Sequence, residues 1–154
     1  MEQNKKIIVA VSGGFDPVHI GHVRMFNEAK KLGDELIVIL NNDNWLKKKK
    51  GYAFMHQDER KELIESFRAV DKVVFTKHEE DFVDRSVCHI LEEIRPDIFA
   101  QGGDRDQKDA NTASSSLNPE QELCNRLGIE LAFNVGAGGK VQSSSWLVEK
   151  VKEA

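Results

Sequence analysis

Cysteine is nearly absent from this 154-residue chain: Cys88 and Cys124 stand far apart, with no CxxC and no cysteine–histidine zinc spacing. They read as reduced, mostly buried thiols, not as a disulfide framework or a metal site. The chain also lacks any run of about 18 apolar residues and any signal-peptide pattern at its start, so a cytoplasmic protein with no membrane partner is expected. Positive charge is not in excess. Lys and Arg total 22 against 26 Asp and Glu, for a net charge of −4 and a pI near 5.8. That balance argues against bulk binding of nucleic acid, while leaving room for a local basic pocket. Neither GxxxxGK nor GxGxxG occurs, which excludes the usual kinase and dehydrogenase phosphate loops. No internal repeat, interdomain linker or second composition zone is visible, so residues 1–154 are read as one domain.

The remaining composition, 40% hydrophobic and 31% charged, is that of an ordinary globular chain. Along it, short continuous apolar runs alternate with amphipathic stretches. Strands are expected at Lys6–Val11, Glu35–Leu40, Lys72–Thr76, Asp97–Ala100 and Ile129–Phe133. Helices are expected over 20–32 with Gly33 as a C-terminal stop, Asp58–Val70, Phe82–Ile94 ended by Arg95-Pro96, from Asn118-Pro119-Glu120, and Ser143–Val151. Between them, Asn41-Asn42-Asp43-Asn44 opens a lysine-rich loop to about Met55, and 101–117 reads as a long polar loop. Five strands alternating with helices imply an α/β protein with a parallel sheet covered on both faces. In such sheets ligands lie beyond the C-terminal strand ends. The polar segments 12–19, 41–55, 101–117 and 134–142 should therefore meet at one crevice.

The first of these segments carries the most chemistry. Gly13-Gly14 follows the first strand, and His19-Ile20-Gly21-His22 opens the first helix. Glycines allow close backbone approach to an anion, and a helix N-terminus offers unpaired N–H groups and a positive dipole end. His19 and His22, three residues apart, are neighbours on one helix face.

Gly14-Phe15-Asp16-Pro17-Val18-His19-Ile20-Gly21-His22 resembles the G-x-F-D-x-x-H-x-G-H signature of the cytidylyltransferase-like nucleotidyltransferases. The likeness spans essentially the whole chain. Asn42-Asp43, Lys47–Lys50, Asp58-Glu59-Arg60, Arg68-Ala-Val-Asp71, Gly102-Gly103-Asp104 and Ser143-Ser144-Ser145 follow in the family's order. Its nearest branches are the heptose-1-phosphate adenylyltransferases and the glycerol-3-phosphate cytidylyltransferases. The resemblance implies a Rossmann-like fold and transfer of CMP or AMP from CTP or ATP to a small phosphorylated sugar or alditol. Pyrophosphate is released, and Mg²⁺ bridges the phosphates.

On that resemblance His19 and His22 stabilise the transition state, with Lys47 and Lys49 as the catalytic lysines. Gly13, Gly14, Phe15, Asp16, Gly21, Gly102, Asp104, Ser143, Ser144 and Ser145 bind nucleotide. Asp43, Lys50 and Arg68 face the acceptor, and no protein metal site is expected. Asp16 is expected to orient the turn. Arg68 and Asp71 either structure the site or form a plain surface ion pair. The family arginine before the last helix is missing, and Lys140 stands near its place as a point charge. A homodimer or larger homo-oligomer is implied, as is an alternative: a catalytically silent nucleotide-binding regulator.

Overall fold

The structure is a computed structural model that describes residues 5–102, 117–135 and 144–153. In chain order the elements are β1 (Ile8–Gly13), α1 (Ile20–Lys30), β2 (Glu35–Leu40), α2 (Asp43–Lys50), α3 (Gln57–Glu65) and β3 (Lys72–Phe75). They continue with α4 (Cys88–Ile94), β4 (Ile98–Gly102), α5 (Leu117–Leu127), β5 (Glu130–Val135) and α6 (Ser144–Glu153). All strand pairs are parallel, in the order β3-β2-β1-β4-β5. The chain steps from β1 outward through β2 and β3, then returns to place β4 on β1's other side. That reversal is a topological switch point, and it puts a crevice at the C-terminal ends of β1 and β4. The fold is the expected Rossmann-like α/β sheet.

Alternation along β1 sorts the two cores. Val9 and Val11 point toward Phe26 and Ala29 of α1 and Ile64 of α3, whereas Ala10 faces Ile90 and Leu91 of α4 and Leu123 and Cys124 of α5. With both faces covered, the central strands must be apolar throughout, which is why they read as continuous runs. Carboxylates bind strand N–H groups at the opposite, N-terminal edge. Asp34 accepts from Ile7, Asp71 from Leu36 and Asp97 from Ile8, each at 2.8 Å.

Several expected boundaries move. The lysine-rich stretch is not a loop: Asp43–Lys50 is helical, capped by the Asn42 side chain on the Trp45 N–H (3.0 Å) and ended by Gly51 at φ +86°. The helix expected from Asp58 to Val70 stops at Glu65, and that expected from Phe82 starts only at Cys88. Before Cys88, the carbonyls of His78, Phe82 and Arg85 serve α2 side chains. Gly33 is not a left-handed helix stop; α1 ends at Lys30 and its cap Lys31 is right-handed. Glycine is needed there because an added Cβ would lie 2.7 Å from the Ile7 carbonyl oxygen and 2.8 Å from Val9 Cγ2.

Candidate active site

The turn from β1 to α1 is shaped by packing before any ligand arrives. Phe15 adopts φ +49° and tucks its ring into the core, edge-on to His22 (4.7 Å) and Phe26 (5.1 Å). A Cβ on Gly13 would stand 2.8 Å from Phe15 Cζ, and one on Gly14 would stand 2.9 Å from Leu46 Cδ2. The approach of the buried Phe15 ring thus favours glycine at position 13, and at position 14 the flexible tip of Leu46 would have to give, apart from any role toward an anion. Asp16 is 2% exposed. Its carboxylate accepts from the N–H groups of Phe54 (2.6 Å) and Met55 (2.5 Å) and pairs with Lys50 Nζ (3.0 Å). Such a carboxylate, with both oxygens engaged, orients the turn.

His19 caps α1. Its Nδ1 accepts from the Gly21 N–H (3.1 Å), while the His19 N–H donates to Nδ1 of His22 (3.2 Å). The rings stack with centroids 3.7 Å apart. With each Nδ1 acting as acceptor, the neutral rings carry their protons on Nε2. Burial, and secondarily His19, pushes the His22 pKa down to about 3. At neutral pH His22 is therefore an uncharged N–H donor, suited to stabilising oxygen charge by hydrogen bonding. Gly21 commits its N–H to His19.

The α2 helix distributes its four lysines around its axis. Lys48 donates to the Phe82 carbonyl and lies over that ring at 4.6 Å. Lys49 lies over the Trp45 ring at 4.8 Å. Lys50 turns to the glycine turn, donating to the Asp16 carbonyl (2.9 Å) as well as pairing with its carboxylate. Lys47 is exposed. Asp43, expected toward the acceptor, instead pairs with Arg60 at 2.7 Å. Arg68 is exposed beyond α3, and Asp71 pairs with Lys30, so of the two readings for Arg68 and Asp71 the mutual ion pair is not the one formed. Burial alone would raise the Asp71 carboxyl, but its hydrogen bonds from Lys30 and Leu36, with the Lys30 and Lys6 charges, together hold it below the usual range.

Gly102 closes β4, and Ser144 and Ser145 begin α6. Asp104 and Ser143 lie outside the described residues, as does Lys140. At the crevice edge of the sheet, Asn41 Oδ1 and Gln101 Nε2 are buried without a hydrogen-bond partner. Among the described residues, no three His, Cys, Asp or Glu side chains gather where they could hold a metal ion.

The profile of the family described as cytidylyltransferase-like matches residues 10–126, from inside β1 to the end of α5. The chain belongs to the cytidylyltransferase-like family. It is 40% identical over 107 residues to an FAD synthase from Pyrococcus horikoshii, covering 69% of each chain. It is 34% identical over 155 residues to the bifunctional protein HldE of Campylobacter jejuni, covering 99% of this chain but only 29% of that protein. Among solved structures it resembles a lipopolysaccharide core biosynthesis protein from Thermoplasma volcanium, with TM-score 0.63 and 28% identity over 84% of this chain and 95% of that one. These relatives identify the chain as a nucleotidyltransferase.

Within this family member, one residue central to the site escaped the sequence reading. Arg60 is wholly buried. Its Nε donates to the Met55 carbonyl (2.9 Å), Nη1 to those of Gly14 and Asn41 (2.7 Å each), and Nη2 to Asp43 (2.7 Å). One guanidinium thus ties the glycine turn, the end of β2, the start of α2 and the loop before α3. Its Asp58-Glu59-Arg60 setting was visible, but a charged residue on a helix is ordinarily solvated, and burial of this one depends on what surrounds it.

Proposed function

We propose that the chain is an FAD synthase, transferring AMP from ATP to FMN with release of pyrophosphate. The acceptor reading is carried by the similarity to the FAD synthase, whose matched region is the same share of both chains. FAD is FMN joined to AMP through a phosphoanhydride, so ATP rather than CTP is the donor. FMN carries its phosphate on a ribityl chain, and it takes the place of the small sugar or alditol phosphate expected from sequence.

In the reaction, a phosphate oxygen of FMN attacks the α-phosphorus of ATP. The bond from that phosphorus to the bridging oxygen of the β-phosphate breaks, and pyrophosphate departs with the electron pair. No covalent enzyme intermediate is required, so positioning and charge stabilisation carry the catalysis. The Nε2–H groups of His19 and His22 are suited to the oxygens on which charge builds. Lys50 is committed to Asp16, so Lys47 and Lys49 are the lysines to approach the phosphates. By the family resemblance, Ser143, Ser144 and Ser145 serve the β- and γ-phosphates, and Gly102 and Asp104 serve the nucleoside.

The carboxylates nearest the turn, Asp16 and Asp43, are engaged by Lys50 and Arg60. They do not form a protein cage for Mg²⁺. The ion would arrive on the triphosphate, supplying charge neutralisation there. Assembly as a homodimer or larger is proposed from the family and is checked by light scattering.

The test is chromatographic detection of FAD together with pyrophosphate release, using ATP or CTP with FMN or a set of sugar phosphates. FAD from ATP and FMN, abolished by His19→Ala, is expected. Turnover of a sugar phosphate with none of FMN would overturn the acceptor reading. Tight nucleotide binding with no turnover on any acceptor would favour a silent regulator.

A further inference from the structure

One aromatic side chain at the site is explained neither by the core nor by the phosphate chemistry. Trp45, in the first turn of α2, is only half-buried. Its six-membered ring reaches the glycine turn, with Cζ3 3.5 Å from where a Cβ of Gly14 would stand. At its other end the indole N–H donates to the Arg85 carbonyl (3.0 Å). The ring therefore runs outward from the turn to the segment after β3. Its backbone is fixed as well: Asn42 accepts from the Trp45 N–H (3.0 Å) and donates to the carbonyls of Thr76 (3.2 Å) and His78 (2.8 Å). Asn44 adds a bond to the His78 carbonyl at 3.0 Å. A side chain held this way loses little entropy on binding a ligand.

The other aromatics near the turn are placed differently. Phe15 is buried beneath His22, and Tyr52 lies by Lys50, on the Asp16 side. Lys49 stands over the Trp45 indole at 4.8 Å, so a cation and an electron-rich ring adjoin one another. An acceptor combining an anionic phosphate with a flat, electron-poor heterocycle matches that pairing.

We infer that Trp45 is the specificity-determining residue for the acceptor, the platform on which the isoalloxazine ring of FMN stacks. This rests on the FMN reading above and extends it to a particular contact. On this inference the indole serves the acceptor and not the purine of ATP, so its loss should act on one substrate only.

The experiment uses the full chain. Oxidisable indole in van der Waals contact with a flavin quenches flavin emission, whereas a phenyl ring does not. Binding is first measured by equilibrium dialysis, and emission is then read from fully bound FMN. Wild-type protein should quench it, Trp45→Phe should bind FMN without quenching, and Trp146→Phe should still quench. In steady-state assays Trp45→Leu should raise the KM for FMN by about tenfold or more, the scale of a lost stacking contact, with the KM for ATP unchanged. Trp45→Phe should restore most of that loss. FAD formation by the wild type with undiminished quenching in Trp45→Phe overturns this inference alone. So does quenching lost in Trp146→Phe, or an equal rise in both KM values. A wild type that neither binds FMN nor forms FAD overturns the FMN reading, and this inference with it.

Discussion

The glycine turn and the lysine end of α2 lie side by side, joined through Lys50 and Asp16, yet they are held by opposite means. The turn is fixed by buried charge. Asp16 and Arg60 are 2% and 0% exposed, and their bonds end mostly on backbone groups. The lysine end is fixed by exposed cations over aromatic rings and by carbonyls of the neighbouring segment. Removing a buried charge strands its partners in a low-dielectric setting, whereas removing an exposed one lets water take its place. The turn should therefore fail abruptly under substitution and the lysine end by degrees.

The largest effect is expected from Arg60→Met, which keeps the volume but leaves Asp43 and three carbonyls without their donor. A loss of about 3–5 kcal/mol is expected, or a fall in melting temperature of about 10 °C or more, read by calorimetry together with loss of activity. An unchanged melting temperature would erase the contrast between the two regions.

Next comes His22→Asn, which retains an acceptor for the His19 N–H and removes the Nε2–H donor. It should lower kcat by about 10²–10³, as for loss of one preorganised donor, with a smaller effect on KM. The same substitution tests the pKa. His22 has a folded-state value of about 3 against an unfolded value of about 6.5, so below the latter the unfolded chain binds the extra proton. Its burial as a neutral ring costs nothing above pH 6.5 or so, and wild-type stability should fall as pH drops from there toward 3, by at most about 1.4 kcal/mol per pH unit from this group. Denaturant titrations across that window should show a shallower slope for His22→Asn.

A smaller change is expected of Gly14→Ala. Its Cβ would meet the flexible tip of Leu46 at 2.9 Å, so about 1–2 kcal/mol is lost to overpacking. Leu46→Val in the same chain should recover part of it. The smallest effect is Lys49→Ala, which removes an exposed cation from the Trp45 face and should change stability by no more than about 1 kcal/mol. Its KM for the acceptor is the informative reading, since the proposed phosphate contact would raise it without moving the melting temperature.

Legibility in the sequence follows the same division. The five strands were readable because burial on both faces forces unbroken apolar runs such as Leu36–Leu40. The adjacency of His19 and His22 was readable because their spacing puts both rings on one face, whereas their capping bonds appear only in the structure. The α2 helix was not, since only Leu46 of its eight residues is buried and four consecutive lysines carry no periodicity. Its signals lay at the ends, in Asn42 as cap and Gly51 in the left-handed region. The segment before Cys88 misled in the other direction: Phe82 and Val83 suggested a helix, but Val83 is 89% exposed.

The alternation of strands and helices and the histidine-bearing turn are local properties, written in neighbouring residues and their spacing, while the nucleotidyltransferase chemistry was legible only through the resemblance of that turn to a family signature. Tertiary structure decided which groups are spent on holding the site and which are left to act. Lys50 and Asp16, and likewise Arg60 and Asp43, lie well apart in the chain and look alike as surface charges until folding pairs them. Their roles are set by the partners they meet, and those meetings occur only once β1, β2, α2 and α3 are packed.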